Sequence, residues 1–311
     1  MKIFITGITG FVGTGLARVL LRDGAEVHGL VRPSSDLWRI ADIKDELHLH
    51  TGDLLDAESI RAAIKEAQPD TIFHLGVYGS HPAYEKDRKM IMRTTLDSTV
   101  ALLDAAKEFG VSMVINTGSS SEYGTKNHPM REDELIEPNS YYAVGKAAQT
   151  LYCQHFAREE EIPVITLRPF SAYGPYEDPT RFIPTLISKA LANEDVPLVD
   201  PETARDFIYI DDIIDVYRAI MKKPELSGGI FNIGSGIQRT IKEAFDKVVA
   251  LTGSTSKPIV GAYANRNFDT HTWVADTSKT RLALGITPRY SLEDGLRATI
   301  EWTKENHDNK N

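Results

Sequence analysis

A single cysteine, Cys153, excludes any disulfide within the chain and suits a reducing compartment. No apolar run approaches the roughly 18 residues a membrane-spanning helix needs, so no membrane partner is expected. Positive charge is short too: 35 Lys and Arg against 44 Asp and Glu leave a net charge of −9, with a sequence pI of about 5.5. A nucleic-acid binder would show a basic patch or a pI above about 9, so none is expected here. A local anion site remains compatible with an acidic chain. The first residues, Met1 to Gly7, run straight into a strand-like segment without an apolar signal region, and a cytoplasmic location is expected. Internal repeats and low-complexity stretches are missing as well.

What is present is 311 residues, 41% of them hydrophobic, enough for one large domain and a smaller lobe. Residues 3–6 read as a strand, followed by a helix in which Leu16, Val19 and Leu20 share a face before Gly24 stops it. Strand-like segments follow at 26–32, 47–50, 71–75, 112–116 and 164–167, with helical periodicity around 56–67 and 97–109. Buried strands alternating with helices predict an α/β fold, a doubly wound parallel sheet of Rossmann type. Beyond Arg168 the pattern loosens: Gly and Pro cluster at 174–184, and short strands are expected at 207–210 and 231–234. This predicts a dinucleotide domain of residues 1–168 plus about 205–235 and a discontinuous α/β substrate lobe of about 169–204 plus 236–311. The charged run at 158–161 reads as a solvated helix end.

Gly7, Thr9, Gly10, Phe11, Val12 and Gly13 lie between the first strand and the first helix. Glycines there allow a tight turn and close approach of backbone to a pyrophosphate, while the helix start offers N–H groups and partial positive charge. The alternative is a tight turn alone. About 20 residues on, an NAD site carries an acidic residue for the ribose hydroxyl. Here Arg32, Ser34 and Ser35 stand instead, a guanidinium and two hydroxyls that suit the 2′-phosphate of NADP, unless Arg32 is only a solvated loop residue. Asp53 and Leu54 close the third strand, near an adenine amino group, and Leu75 and Gly76 close the fourth; either pair is otherwise a strand-end turn. Nothing in this pattern asks for a metal.

Tyr142 and Lys146 are four residues apart, on one face if the segment is a helix. A nearby ammonium favours the phenolate and makes the phenol a usable acid/base near neutrality. Ser119, Ser120 and Ser121 add hydroxyls at a strand end that could hold a sugar carbonyl, or form an ordinary Ser-rich loop.

Together with Leu167-Arg168-Pro169 and the segment from Phe170 to Pro175, Ala204 to Asp212, and Phe231 to Gly236, these motifs stand in the order of a known family. Over nearly its whole length the chain resembles the extended short-chain dehydrogenase/reductase family of nucleotide-sugar epimerases, dehydratases and ketoreductases. The resemblance implies Ser119, Tyr142 and Lys146 as catalytic residues, with Tyr142 as general acid/base and Lys146 lowering its pKa while binding the nicotinamide ribose. It implies Ser120, Ser121 and Ser171 as substrate contacts, and Arg205 and Arg266 as two arginines facing a nucleotide diphosphate. Departures bear on the reaction. The carboxylates of the family's 4,6-dehydratases are replaced by Ser120 and Ser121, with Glu122 one residue further on, so dehydration is not expected unless Glu122 swings in. Ser171 stands for a frequent Asn, and Thr95 for another.

The resemblance therefore implies an NADP-dependent ketoreductase acting on a nucleotide-linked 4-keto-6-deoxy sugar, or alternatively an NAD-dependent nucleotide-sugar 4-epimerase. A non-catalytic dinucleotide sensor is the distant alternative, against which the intact Ser119, Tyr142 and Lys146 speak. It also implies a homodimer through a four-helix bundle built on helices at about 90–107 and 141–158. There Thr99, Leu102, Leu103 and Ala106 share one face and Ala147, Leu151 and His155 another, while Ala101, Ala105, Ala148 and Tyr152 would be exposed without a partner. The alternative is that these alanines are simply good helix formers.

Overall fold

The computed structural model describes residues 1–78, 87–261 and 269–307. It divides the chain into two compact units: Met1–Gly124 with Leu135–Arg168 and Ile214–Phe231, and Thr125–Glu134 with Pro169–Ile213 and Asn232–Asn311.

In the first unit, strands β1 (Lys2–Thr6), β2 (Glu26–Val31), β3 (His48–Thr51), β4 (Thr71–His74), β5 (Met113–Thr117) and β6 (Val164–Pro169) alternate with helices. The helices are α1 (Phe11–Arg22), α2 (Ala57–Ala67), α3 (Arg88–Met92), α4 (Ser98–Glu108) and α5 (Tyr141–Glu159). Ile3, Phe4 and Ile5 are all buried, as are all four residues of β4. Strands covered on both faces carry continuous apolar runs, which is why alternation is absent. β1 pairs with β2 and β4, β2 with β3, β4 with β5 and β5 with β6, all in parallel. Beyond these come β7 (Ser171–Tyr173), β8 (Val196–Leu198), β9 (Ala204–Tyr209) and β10 (Ile230–Ile233), and the last of them completes a seven-stranded sheet of order β10-β6-β5-β4-β1-β2-β3. The chain reverses its winding between β1 and β4, the switch point where such sheets bind ligands at the carboxyl ends of their strands.

α1 buries Leu16, Ala17 and Leu20, whereas Val19 is only half-buried; Ala17 takes the inner place expected of Val19. On one side of the sheet Ile60 and Ile64 of α2, Leu102 and Leu103 of α4 and Cys153 and Phe156 of α5 join a single core cluster. The segment expected as a helix over 90–107 is helical throughout, with one wider turn inside it. α3 passes into a π-helical turn at Arg93–Asp97 before α4 begins. Ala105, expected to be exposed, is buried in that core at 2%. On α5 the exposed large apolar side chains are Tyr141, Val144 and Leu151, at 46%, 43% and 56% exposure.

The second unit adds α6 (Phe182–Leu191), α7 (Ile210–Ile220, shared with the first), α8 (Ile241–Thr252), α9 (Ser278–Leu284) and α10 (Leu292–His307), with strands β11 (Gln238–Thr240) and β12 (Pro258–Val260). β9 pairs in parallel with β7 and antiparallel with β11 in a three-stranded sheet, and β8 pairs with β12. Because β9 lies in this small sheet, residues 205–213, expected with the first domain, fall in the second unit. Residues 125–134 join it too: Met130 bridges Ala275 and exchanges backbone bonds with Val274 and Asp276.

Candidate functional site

At the carboxyl end of β1 the chain turns through Gly7, at φ +72°. A Cβ on Gly7 would lie 2.8 Å from the Gly76 nitrogen, and one on Gly13 only 2.2 Å from the Gly7 oxygen. Backbone therefore presses on backbone from both sides of the turn, and only glycine fits. Gly10 caps α1 with no side-chain bond, so the first N–H groups of the helix, at Phe11, Val12 and Gly13, remain available at its positive end. A narrow loop feeding an uncapped helix start fits the pyrophosphate of a dinucleotide. Thr9, Gly10, Phe11 and Val12 are each half-buried at this mouth.

The ends of the neighbouring strands lie where the sequence places them. Arg32 is exposed after β2, in a turn closed by Ser35 N–H to its carbonyl and by its own N–H to Ser35 Oγ, 2.9 and 3.0 Å. Its guanidinium has no partner among the described residues, and Ser34 beside it is exposed. Asp53 is half-buried; its carboxylate accepts the Leu55 N–H at 2.9 Å and its N–H donates to Ser59 Oγ. Leu54 fills the space a Cβ on Gly76 would need, and Leu75 is half-buried beside it. Sequence reasoning missed Arg39, which stacks over Trp38 and extends a guanidinium N–H to the Thr9 carbonyl at 3.4 Å. Nothing in the local pattern around Trp38 signalled it.

Ser119 follows β5 and caps a single turn of 3-10 helix, Ser120–Tyr123. Its Oγ lies 2.7 Å from Ser121 Oγ, both half-buried, whereas Ser120 is buried. Glu122 does not swing toward a substrate. One carboxylate oxygen accepts the Ser119 N–H at 2.7 Å, and the other takes two N–H groups of Arg168 at 2.9 and 2.7 Å. Arg168 also stacks over Tyr123, 4.6 Å from its centroid. Burial pushes the Glu122 carboxyl up and Arg168 opposes it, with the guanidinium held charged by its partner. Glu122 thus anchors the Ser119 turn.

Tyr142 sits half-buried in the first turn of α5, after the Ser140 cap, and Lys146 one turn on is fully enclosed. Lys146 Nζ donates to the Thr117 carbonyl at 2.7 Å and to Gln149 Oε1 at 3.0 Å. Burial lowers its pKa to about 8, partly offset by Glu122. An ammonium that is charged but close to titrating is a tuned partner for a phenol. Thr95, in the π-helical turn, is buried against α5 beside Gly145, and its hydroxyl has no partner among the described residues.

In the second unit, Ser171 begins β7 and is half-buried. Arg205 is largely taken up internally: it pairs with Asp269 at 2.9 Å, donates to the Ala204 carbonyl and stacks on Trp273. The second expected arginine, Arg266, lies outside the described residues. The neighbouring motif residues are structural. Asp206, fully buried, accepts the N–H groups of Ser235, Gly236 and Ala275, and Asn232 donates to the carbonyls of Met130 and Asp276. Among the described residues no cluster of His, Cys, Asp and Glu could hold a metal, and no helix is long and apolar enough to cross a membrane.

Residues 3–234 match the model of the NAD dependent epimerase/dehydratase family. The chain is 29% identical to a UDP-glucose 4-epimerase of Mycolicibacterium smegmatis, across 97% of this chain and 98% of that one. Among solved structures, a UDP-glucose 4-epimerase from Thermotoga maritima, with UDP-glucose, superposes with a TM-score of 0.92 at 26% identity, covering 99% of this chain and all 100% of that one. A UDP-glucuronic acid 4-epimerase from Bacillus cereus, in complex with UDP-glucuronic acid and NAD, gives 0.89 at 27% identity, covering 98% and 100%. With a sheet switch point carrying the glycine loop, and that match over more than half its length, the chain belongs to the NAD-dependent epimerase/dehydratase family and is an enzyme of the extended short-chain dehydrogenase/reductase type.

Proposed function

We propose that the enzyme inverts C4 of a nucleotide-diphosphate hexose, using NAD. The observation that carries this reading is the division of charge around Ser119. Lys146 is fixed to the carbonyl of Thr117, two residues before it, while Glu122, three residues after it, is taken up by Arg168. That leaves Tyr142 and Lys146 for proton transfer at an alcohol and no free carboxylate in the turn for eliminating water. Tyr142 takes the C4 hydroxyl proton and later returns it; Ser119 donates a hydrogen bond to the same oxygen; Lys146 keeps the phenol acidic. The dinucleotide, when bound, supplies the oxidising and then reducing equivalent at C4. Gly7, Gly10 and Gly13 with the α1 N–H groups hold its pyrophosphate, Asp53 and Leu54 its adenosine side, and Leu75 and Gly76 approach the nicotinamide ribose. For the nucleotide sugar, the residues read as contacts are Ser171, Arg205 and Arg266, together with Ser120 and Ser121. Likeness to epimerases named for UDP-glucose and UDP-glucuronic acid favours a UDP-hexose.

A second reading has its own observation. Arg32, exposed and without a partner among the described residues, stands where an NAD site carries an acid, and favours NADP with reduction of a nucleotide-linked 4-keto-6-deoxy sugar. The test is to denature the purified protein, identify the released nucleotide, and follow UDP-glucose and UDP-glucuronate by proton NMR. Stoichiometric NAD with C4 inversion supports the epimerase. Empty protein that oxidises NADPH only with 4-keto sugars overturns it. The enzyme works in the cytoplasm as a homodimer whose bundle is formed by α4 and α5, with Val144 and Leu151 on the covered face.

A further inference from the structure

Behind the proposed catalytic lysine runs a line of buried polar side chains that the proton transfer itself does not use. Thr6, His74, Thr99 and Gln149 are each at most 1% exposed. They come from β1, β4, α4 and α5, and the bonds that join them are short. The Gly76 N–H donates to Thr6 Oγ1 at 3.0 Å, and Thr6 Oγ1 lies 2.8 Å from His74 Nδ1. His74 Nε2 lies 3.0 Å from Thr99 Oγ1, which donates to the Thr95 carbonyl at 2.6 Å. Gln149 Nε2 donates to the same Thr99 oxygen at 2.8 Å, and Gln149 Oε1 accepts from Lys146 Nζ at 3.0 Å.

These bonds fix one another's direction. Thr99 has a single hydroxyl proton, committed to Thr95, so it must accept from both His74 and Gln149. His74 therefore carries its proton on Nε2 and accepts the Thr6 hydroxyl on Nδ1. Flipping the Gln149 amide would turn an NH2 group toward an ammonium, so that orientation is fixed as well. Burial drops the His74 pKa to about 3, and the ring stays neutral. An amide and a neutral, singly oriented imidazole pass no proton along such a line. They do hold geometry, since two of the three N–H bonds of Lys146 are assigned, to Gln149 and to Thr117.

We infer that Gln149, Thr99 and His74 are positioning residues for Lys146: they set the place and charge of its ammonium and tie it to the turns at Gly7 and Gly76. The catalytic meaning of this rests on the reading above; the geometry does not. Other titratable groups facing Lys146 are Glu122, Cys153 and His74, with Tyr142 one turn back and Tyr217 on the Thr117 hydroxyl. Cys153 is pushed up to about 12 by burial and Tyr217 is also raised, so neither titrates alongside a lysine near 8.

The experiment is an NMR titration of isotope-labelled lysine in the full-length protein, the Lys146 signal being assigned by its loss in Lys146→Arg. Gln149→Met, similar in length but with only a weak thioether acceptor, should lower the Lys146 titration by about one to two pH units, the worth of a hydrogen bond to a charged group. Gln149→Glu, which keeps an acceptor and adds negative charge, should raise it. The alkaline limb of kcat should move the same way in each, with KM for the sugar little changed. If Gln149→Met fails to fold, Gln149→Asn, one methylene too short for the bond, takes its place; a lowered titration still decides, because loosened packing would raise a lysine that burial holds at about 8. An unmoved Lys146 titration overturns the inference, and so does a moved titration with an unmoved alkaline limb in an active enzyme. If the wild type turns over no nucleotide sugar, the proposed function fails, and the NMR titration by itself still upholds or overturns the line of contacts.

Discussion

Replacing Arg168 with Met removes the cation from a pair that water does not reach, the two side chains being 2% and 0% exposed. Glu122 then loses both guanidinium N–H groups and keeps the Ser119 N–H. Burial already pushes this carboxyl above the ordinary 4.5, and without Arg168 its least costly response is to take up a proton. Keeping it protonated at about pH 7 against 4.5 in the unfolded chain costs about 1.36 kcal/mol per unit, at most about 3.4 kcal/mol through this group. A carboxyl whose folded pKa is raised weakens the fold above its unfolded value, and the cost fades as pH falls toward 4.5. Urea unfolding followed by circular dichroism should show an Arg168→Met deficit that shrinks by up to about 2.7 kcal/mol between about pH 7.5 and 5.5. The Glu122→Gln/Arg168→Met double variant should lose that pH dependence. A deficit equal at both pH values would refute the account of Glu122 as a buried carboxylate that depends on Arg168.

Tyr142→Phe should fold and bind cofactor but turn over roughly 10²–10⁴-fold more slowly, the usual worth of a positioned acid; near-normal turnover would remove Tyr142 from the chemistry. If NADP is used, Arg32→Ala should weaken NADPH binding by about 1.5–3 kcal/mol and leave NADH binding nearly unchanged, as calorimetry can measure. Equal, small effects on both would make Arg32 a solvated surface residue. Light scattering at micromolar concentration should report about twice the 34.6 kDa chain mass, and Leu151→Glu should shift it toward the monomer. An active wild-type monomer would refute the bundle.

What could be read from the sequence was local. The glycine turn is legible because its steric demand falls within seven residues, and Tyr142 with Lys146 because helical spacing alone puts them on one face. What stayed hidden joins residues far apart. Glu122 meets Arg168 across 46 positions and Thr6 meets His74 across 68, and no periodicity records either. β9 reads as a buried strand of the main sheet because its apolar run is the same whichever sheet it joins; its pairing with β7 and β11 alone moves it. The π-helical turn at Arg93–Asp97 is equally silent, since a single wider turn holds too few apolar residues to reveal a change of spacing.

The glycine turn and the Arg32 loop differ in one further way, which concerns how such a protein changes over generations. Gly7 and Gly13 each occupy space that neighbouring backbone excludes, so neither can be exchanged while that backbone stays put. A side chain at either needs simultaneous change elsewhere, and single mutational steps at those two positions are closed. Arg32 and Ser34 are exposed, and nothing described packs on the Arg32 guanidinium. Substitutions there cost the fold little. If the turn holds the dinucleotide as proposed, that capacity is inherited as a block, while any choice of phosphorylation state made at Arg32 is free to drift one residue at a time.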